Sequence, residues 1–189
     1  MKTSVKFGFG FALIWIIISM ITFYAGLSKE TFNLGILINL FLLMTAIAVG
    51  LFMTKKENNF EKGNFIRDFK TATQSGVIYA ITIAAFVYVY HEMIDPSIRE
   101  SLIQKRVEVL HEAVPDSEAF QKMKENDPTW KDKSYDDYIE NQEDQFKSVF
   151  SSFSVFVAHL MGLTFFAMFF AFFVTFIMRK IVLRGSYQD

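Results

Sequence analysis

Four long apolar runs divide the chain into spans and loops. The first, Phe7–Leu27, carries no formal charge and suffices for a hydrocarbon core that takes about 20 helical residues. Lys2 and Lys6 precede it, as in a signal peptide. The run exceeds a usual signal core and no small-x-small site follows, so it reads as a retained signal-anchor helix. The link Ser28–Thr31 is short enough to force an antiparallel hairpin with the second run, Phe32–Met53. A polar stretch over 54–70 separates this hairpin from the third run, Thr71–Tyr90, which closes at His91-Glu92. The fourth ends at Arg179-Lys180, and counting back about 20 residues places its lipid-crossing part near Val157–Met178.

Between the third and fourth runs the period changes. Asp95-Pro96 suits a helix start, since Asp can cap and Pro fits the first turn. Ile103, Val107, Leu110 and Val114 then recur at helical spacing, and Pro115 ends the stripe. A second short helix is expected over Ser117–Glu125 and a turn at 126–128. Ser134 and Asp137 resemble a capping box that opens a third helix. Tyr135, Tyr138, Gln142, Phe146 and Val149 continue it without a breaker, so it is expected to run on into the fourth span.

The pattern predicts an all-α membrane protein: a four-transmembrane-helix bundle with an extracytoplasmic helical insert between the third and fourth spans. Its parts are spans one to three over 1–94, with a basic cytoplasmic loop near 54–70; an acidic insert over 95–148; and the fourth span with its basic tail over 149–189. Charge sets the expected orientation. Residues 91–149 carry 8 Lys/Arg against 15 Asp/Glu, while the rest of the chain is net basic. Lys2, Lys6, Lys55, Lys56, Lys62, Arg67, Lys70, Arg179, Lys180 and Arg184 fall on one side of an even number of spans. By the positive-inside bias both termini are expected in the cytoplasm, with the insert outside.

Composition agrees with a lipid environment: 23 Phe and 52% apolar residues are too many for an ordinary soluble domain of 189 residues. With no cysteine there is no disulfide, thiol nucleophile or thiolate metal site. No basic patch interleaved with aromatics points to nucleic acid. No catalytic constellation or cofactor loop is legible, so neither an enzyme nor a cofactor is expected. The four lipid-crossing segments hold no Asp, Glu, Lys or Arg, which argues against an ion-coupled transporter or proton pump. Their polar residues are Asn39, Gln74, Ser75 and His159. His91 stands at the outer end of the third span, so a metal or pH-sensing pair with His159 is conceivable. Two interfacial histidines bonded to backbone or water are the plainer reading.

Small residues mark helix-packing faces. The third span has Ala72, Gly76, Ala80 and Ala84, one every fourth position; Ala46/Gly50 and Ala158/Gly162 repeat the pattern in the second and fourth. Packing within the bundle is favoured over homodimerisation. The fourth span's phenylalanines surround the helix too broadly to define a groove.

The segment FKTATQSGVIYAITIAAFVYVYHEMIDPSIRES resembles the central segment of small inner-membrane proteins catalogued as domain of unknown function 4199, found mainly in Bacteroidota-type bacteria. The likeness lies in Phe69-Lys70, the Ala/Gly ribbon, the aromatics Phe86, Tyr88 and Tyr90, and Ile94-Asp95-Pro96, with matching length and span number. Arg67-Asp68 departs from glycines often found there, and the insert is longer than is usual. The resemblance implies the four-span architecture and supplies no catalytic residues.

Three functions remain open on sequence. The first is a non-enzymatic membrane subunit or scaffold, docking a membrane or periplasmic protein through its acidic insert and the stripe Ile103, Val107, Leu110 and Val114. The second is a small oligomeric channel or carrier lined by Asn39, Gln74 and Ser75. The third is a His91/His159 metal or pH sensor.

Overall fold

The computed structural model describes residues 2–61, 63–126 and 128–182. Lys62, Asp127 and Arg184, which entered the loop, turn and charge arguments above, lie outside the described residues. Every described element is helical, and four helices are long and apolar enough to cross a membrane.

Local backbone chemistry moves the helix ends away from the apolar runs. Helix α1 spans Thr3–Tyr24. It stops short of Leu27 because Gly26 takes a left-handed φ of 70°, while Gly26 N–H donates to Phe23 O and Leu27 N–H to Thr22 O. That pair of bonds is a Schellman cap, and glycine adopts the required conformation without a Cβ penalty. Helix α2, Phe32–Glu57, runs past Met53 to a second Schellman cap. There Asn59 is left-handed, and Phe60 N–H reaches Lys55 O at 2.8 Å. Helix α3, Phe65–Val89, begins six residues before the apolar run. Asn64 Oδ1 accepts Arg67 N–H at 2.8 Å and so starts the helix, which continues as a π turn over Tyr90–Ile94. Much of the expected basic loop is therefore helix, and Lys55, Arg67, Asp68 and Lys70 stand on helix ends.

Contacts divide the chain into two units, Met1–Val87 with Phe156–Asp189, and Tyr88–Val155. In the first unit, α3 is the common neighbour. Thr3 and Trp15 of α1 bond to Glu57 and Gly35 of α2, which fixes the expected antiparallel hairpin. Ser75 Oγ donates to Ala46 O at 2.8 Å, joining α3 to α2. A Cβ at Gly50 would stand 2.6 Å from Ser75 Oγ, and one at Gly8 would collide with the Ser75 carbonyl, so α1 and α2 both close on this residue. One position further, a Cβ at Gly76 would meet Ala167 Cβ at 2.7 Å and Ile47 Cδ1 at 2.9 Å. Ala167 belongs to α7, Ser152–Ile177. The ribbon Ala72, Gly76, Ala80 and Ala84 is buried throughout, as are Ala46 and Gly50. On α7 the buried stripe is Leu163, Ala167, Ala171 and Thr175. Ala158 is exposed and Gly162 has open space where a Cβ would be, so that pair makes no close helix contact among the described residues. Six phenylalanines of α7, from Phe165 to Phe176, are exposed, as suits side chains that face lipid.

The second unit holds α4 (Ser97–Ala113), α5 (Ser117–Asn126), a single 3₁₀ turn at Pro128–Trp130 and α6 (Tyr135–Val149). Its core is Leu110, Val114, Phe120 and Tyr138, with Trp130 and Tyr135 packed against them. Phe120 is only 1% exposed, and the Tyr138 ring lies 5.1 Å from Phe120 and 4.9 Å from Trp130. Aromatic pairing of this kind adds to plain burial. The capping box is present: Ser134 Oγ accepts Asp137 N–H, and the Ser134 N–H and hydroxyl both donate to Asp137. Those two donors hold the Asp137 carboxyl below the usual carboxylate range.

Helix α6 does not run into α7. It ends at Val149, and Phe150-Ser151 separate the two. Ser154 Oγ donates to Ser148 O and Ser151 Oγ accepts Ser154 N–H, so side chains of the Ser148–Ser154 stretch take up backbone groups that a continuous helix would use.

A paired substitution tests the close approach at Ser75. Gly8→Ala should lower the unfolding free energy in mild detergent by about 1–3 kcal/mol, the usual cost of overpacking. Gly10→Ala, where nothing stands within 4 Å of the new Cβ, should be neutral or slightly stabilising. Equal behaviour of the two variants would contradict this packing.

Candidate functional site

The most concentrated polar chemistry lies at the basic end of the helical unit. Asp68, 3% exposed, sits in the first turn of α3, and Lys55, 6% exposed, in the last turn of α2. Lys55 Nζ lies 2.7 Å from Asp68 Oδ1, and an Arg179 guanidinium nitrogen lies 2.6 Å from Asp68 Oδ2. The same arginine nitrogen donates to Gly63 O at 2.7 Å, and Lys55 Nζ donates to Glu61 O at 3.2 Å. Arg179 stands in the π turn Met178–Val182 that follows α7. One carboxylate thus ties three helix ends and the α2–α3 turn. Each charge suits its place, because an anion is favoured at a helix N-terminus and a cation at a C-terminus.

This clasp was not read from sequence. The lipid-crossing segments hold no formal charge, but at this end two buried charges, Lys55 and Asp68, stand just beyond them. The Asn58-Asn59 pair and Asn64 were the available signals, since asparagine suits a left-handed helix end and an N-cap respectively. The partner of Asp68 at position 179 has no local signature.

Beside the clasp opens a cleft of about 470 Å³, formed by the start of α1, the end of α2 and the start of α3. Leu51 is the one apolar residue among those that line it. Thr3 donates its hydroxyl to Glu57, Ser4 Oγ donates to Gln74 Oε1 at 3.2 Å, and Arg67 lies 3.6 Å from Glu61.

The polar residues named inside the spans are used differently. Asn39 is buried, and its Oδ1 accepts the Tyr79 hydroxyl at 2.6 Å. Ser75 is bonded to α2 as described. Both groups hold helices together, while Gln74 lines the cleft.

His91 is buried in the π turn with its ring edge-on to Tyr90, 5.5 Å between centroids. It belongs to the unit Tyr88–Val155, and His159 to the helical unit. Among the described residues, no group of three or more His, Cys, Asp or Glu side chains is gathered to hold a metal. Within the insert unit, Glu92 accepts the Ser152 hydroxyl and lies 3.7 Å from Arg99, whose guanidinium also reaches Ser152 Oγ at 3.1 Å. These bonds staple the residues that enter the insert to those that leave it. Of the stripe along α4 and its C-cap, Leu110 and Val114 belong to the insert core, and Ile103 and Val107 are half-buried.

A sequence model of the family described as "Protein of unknown function (DUF4199)" matches residues 6–180. The chain belongs to the DUF4199 family. The match takes in α1 from residue 6 onward, α2, α3 and α7, the insert and both ends of the clasp, from Lys55 to Arg179. No curated protein and no solved structure matches this DUF4199 chain.

Proposed function

We propose that this DUF4199 protein is a non-enzymatic subunit or scaffold of a bacterial inner membrane, with both termini cytoplasmic and residues 95–148 outside. It assembles with other envelope proteins through the acidic insert. The observation that carries this reading is the insert's own aromatic core around Phe120 and Tyr138. A segment that buries its apolar stripes internally presents its charged exterior as a folded surface, and residues 91–149 are net acidic by seven charges. Ile103 and Val107 contribute the half-buried edge of that surface.

The bundle supports the same reading. Ala72, Gly76, Ala80, Ala84, Ala46 and Gly50 are turned inward, so contacts with a partner helix or a second copy fall to the open Ala158/Gly162 face. The helix-to-helix bonds of Asn39 and Ser75 weigh against a channel lined by them.

Two measurements test this. Capture of the full chain in native nanodiscs, followed by mass spectrometry, should recover an envelope protein at fixed stoichiometry. The partner should be lost from Glu108→Lys/Glu112→Lys, whose positions are exposed. A monodisperse chain with no partner, or one that keeps its partner after charge reversal, would contradict docking through the insert. For orientation, Ser117→Cys should react with a membrane-impermeant thiol reagent in intact spheroplasts. Reaction only after lysis would invert the topology.

A further inference from the structure

The cleft beside the clasp carries an inference that rests on the membrane-spanning reading of the long helices and not on the scaffold role. Its lining combines carboxylates and cations, and their pairing decides which charge is left over. Asp68 is held by Lys55 and Arg179, Glu61 stands against Arg67, and Glu57 accepts the Thr3 hydroxyl. Lys2 and Lys70 also line the cleft, both exposed, and neither has a carboxylate partner among the described residues. The Gln74 carbonyl oxygen is occupied by Ser4, whereas its Nε2 group makes no hydrogen bond among the described residues and stays a donor. Two ammonium groups and an amide donor therefore line a polar cavity in which Asp68 and Glu61 face cations and Glu57 alone is bonded to a neutral hydroxyl, so the lining cations exceed the carboxylates by one.

Depth identifies the source of the ligand. Helices α1 and α2 cover 22 and 26 residues, and α3 with its π turn covers 30. At 1.5 Å per residue the last of these is about 45 Å long, well beyond the roughly 30 Å of a hydrocarbon core. The charged ends of α2 and α3 thus lie at the level of lipid headgroups, and the cleft opens there and reaches inward along α3 as far as Gln74. A volume of about 470 Å³ with a single apolar residue in its lining suits a headgroup rather than an acyl chain. Basic pockets between spans attract anionic headgroups by charge, and an ammonium or amide donor to a phosphate oxygen makes a strong, short hydrogen bond.

We propose that this cleft binds a phosphate group, supplied by the headgroup of an anionic phospholipid, through Lys2, Lys70 and Gln74. The site would fix a lipid at the seam between α1 and α3, where Ser4 and Gln74 join the two helices.

Native mass spectrometry of the purified full chain tests this, with phosphatidylglycerol, phosphatidylcholine and inorganic phosphate offered in separate arms. Phosphatidylglycerol should be retained at one per chain and phosphatidylcholine should not. Lys2→Gln/Lys70→Gln should weaken retention at least about tenfold more than Lys6→Gln/Lys180→Gln, which removes the same charge from exposed positions that do not line the cleft. All four lysines are exposed, and matching unfolding temperatures of the two double variants would show that the bundle is intact. Binding of inorganic phosphate alone, lost in the same variant without any lipid retention, would keep the phosphate site and overturn the lipid as its source. Equal loss in both double variants, or no binding in any of the three arms, would overturn the site.

Discussion

The Asp68 carboxylate is the constraint on which the basic end of this protein depends. A carboxylate removed from water is costly unless it is paired and hydrogen-bonded. Here both oxygens are engaged, one by Lys55 and the other by Arg179. The pairing is possible only because α2, α3 and α7 bring their ends together, so the charge selects that arrangement of helices over looser ones. Apolar packing along the spans has no such discrimination, since lipid tails and leucine are equally apolar. Specificity comes instead from polar contacts between helices, among them those at Asp68, Ser75 and Tyr79–Asn39, and from close approaches at Gly8, Gly50 and Gly76 that only small residues permit.

The parts legible in the sequence share one physical basis. Hydrophobic length reports a membrane span because the bilayer imposes it locally, and four spans follow. The four-residue rhythm of Ala72, Gly76, Ala80 and Ala84 reports a packed face because one helix repeats itself in register. The Ser134/Asp137 box is equally local. What escaped was either a backbone effect or a distant pairing. Gly26 and Asn59 end helices by left-handed turns, Asn64 starts one, and the serines around Ser151 break one, none of which an apolar count registers. Asp68 looks like a solvated loop residue until Arg179, far along the chain, is placed beside it. Phe120 and Trp130 fell outside the stripes read on the insert, yet they complete its core.

Taken separately, the two units use aromatic residues in opposite ways. In the helical unit the phenylalanines of α7 point away from the buried Ala167/Ala171 stripe and form an apolar exterior. In the insert unit Phe120, Trp130, Tyr135 and Tyr138 gather inward and leave a charged exterior. This division suits a protein that dissolves in lipid by one part and offers the other to water. Its polar groups are largely committed to holding helices in place, and the cleft between the starts of α1 and α3 and the end of α2 is where that commitment leaves Lys2 and Lys70 over.

The most direct measurement is a double-mutant cycle on Asp68→Asn and Arg179→Gln, read as unfolding free energy of the full chain in mild detergent. The clasp requires Asp68→Asn to cost about 3 kcal/mol or more, because it removes the buried carboxylate that Lys55 and Arg179 share. It also requires the double variant to lose at least about 1 kcal/mol less than the sum of the single losses. Strictly additive losses, or an Asp68→Asn protein as stable as the parent, would contradict it.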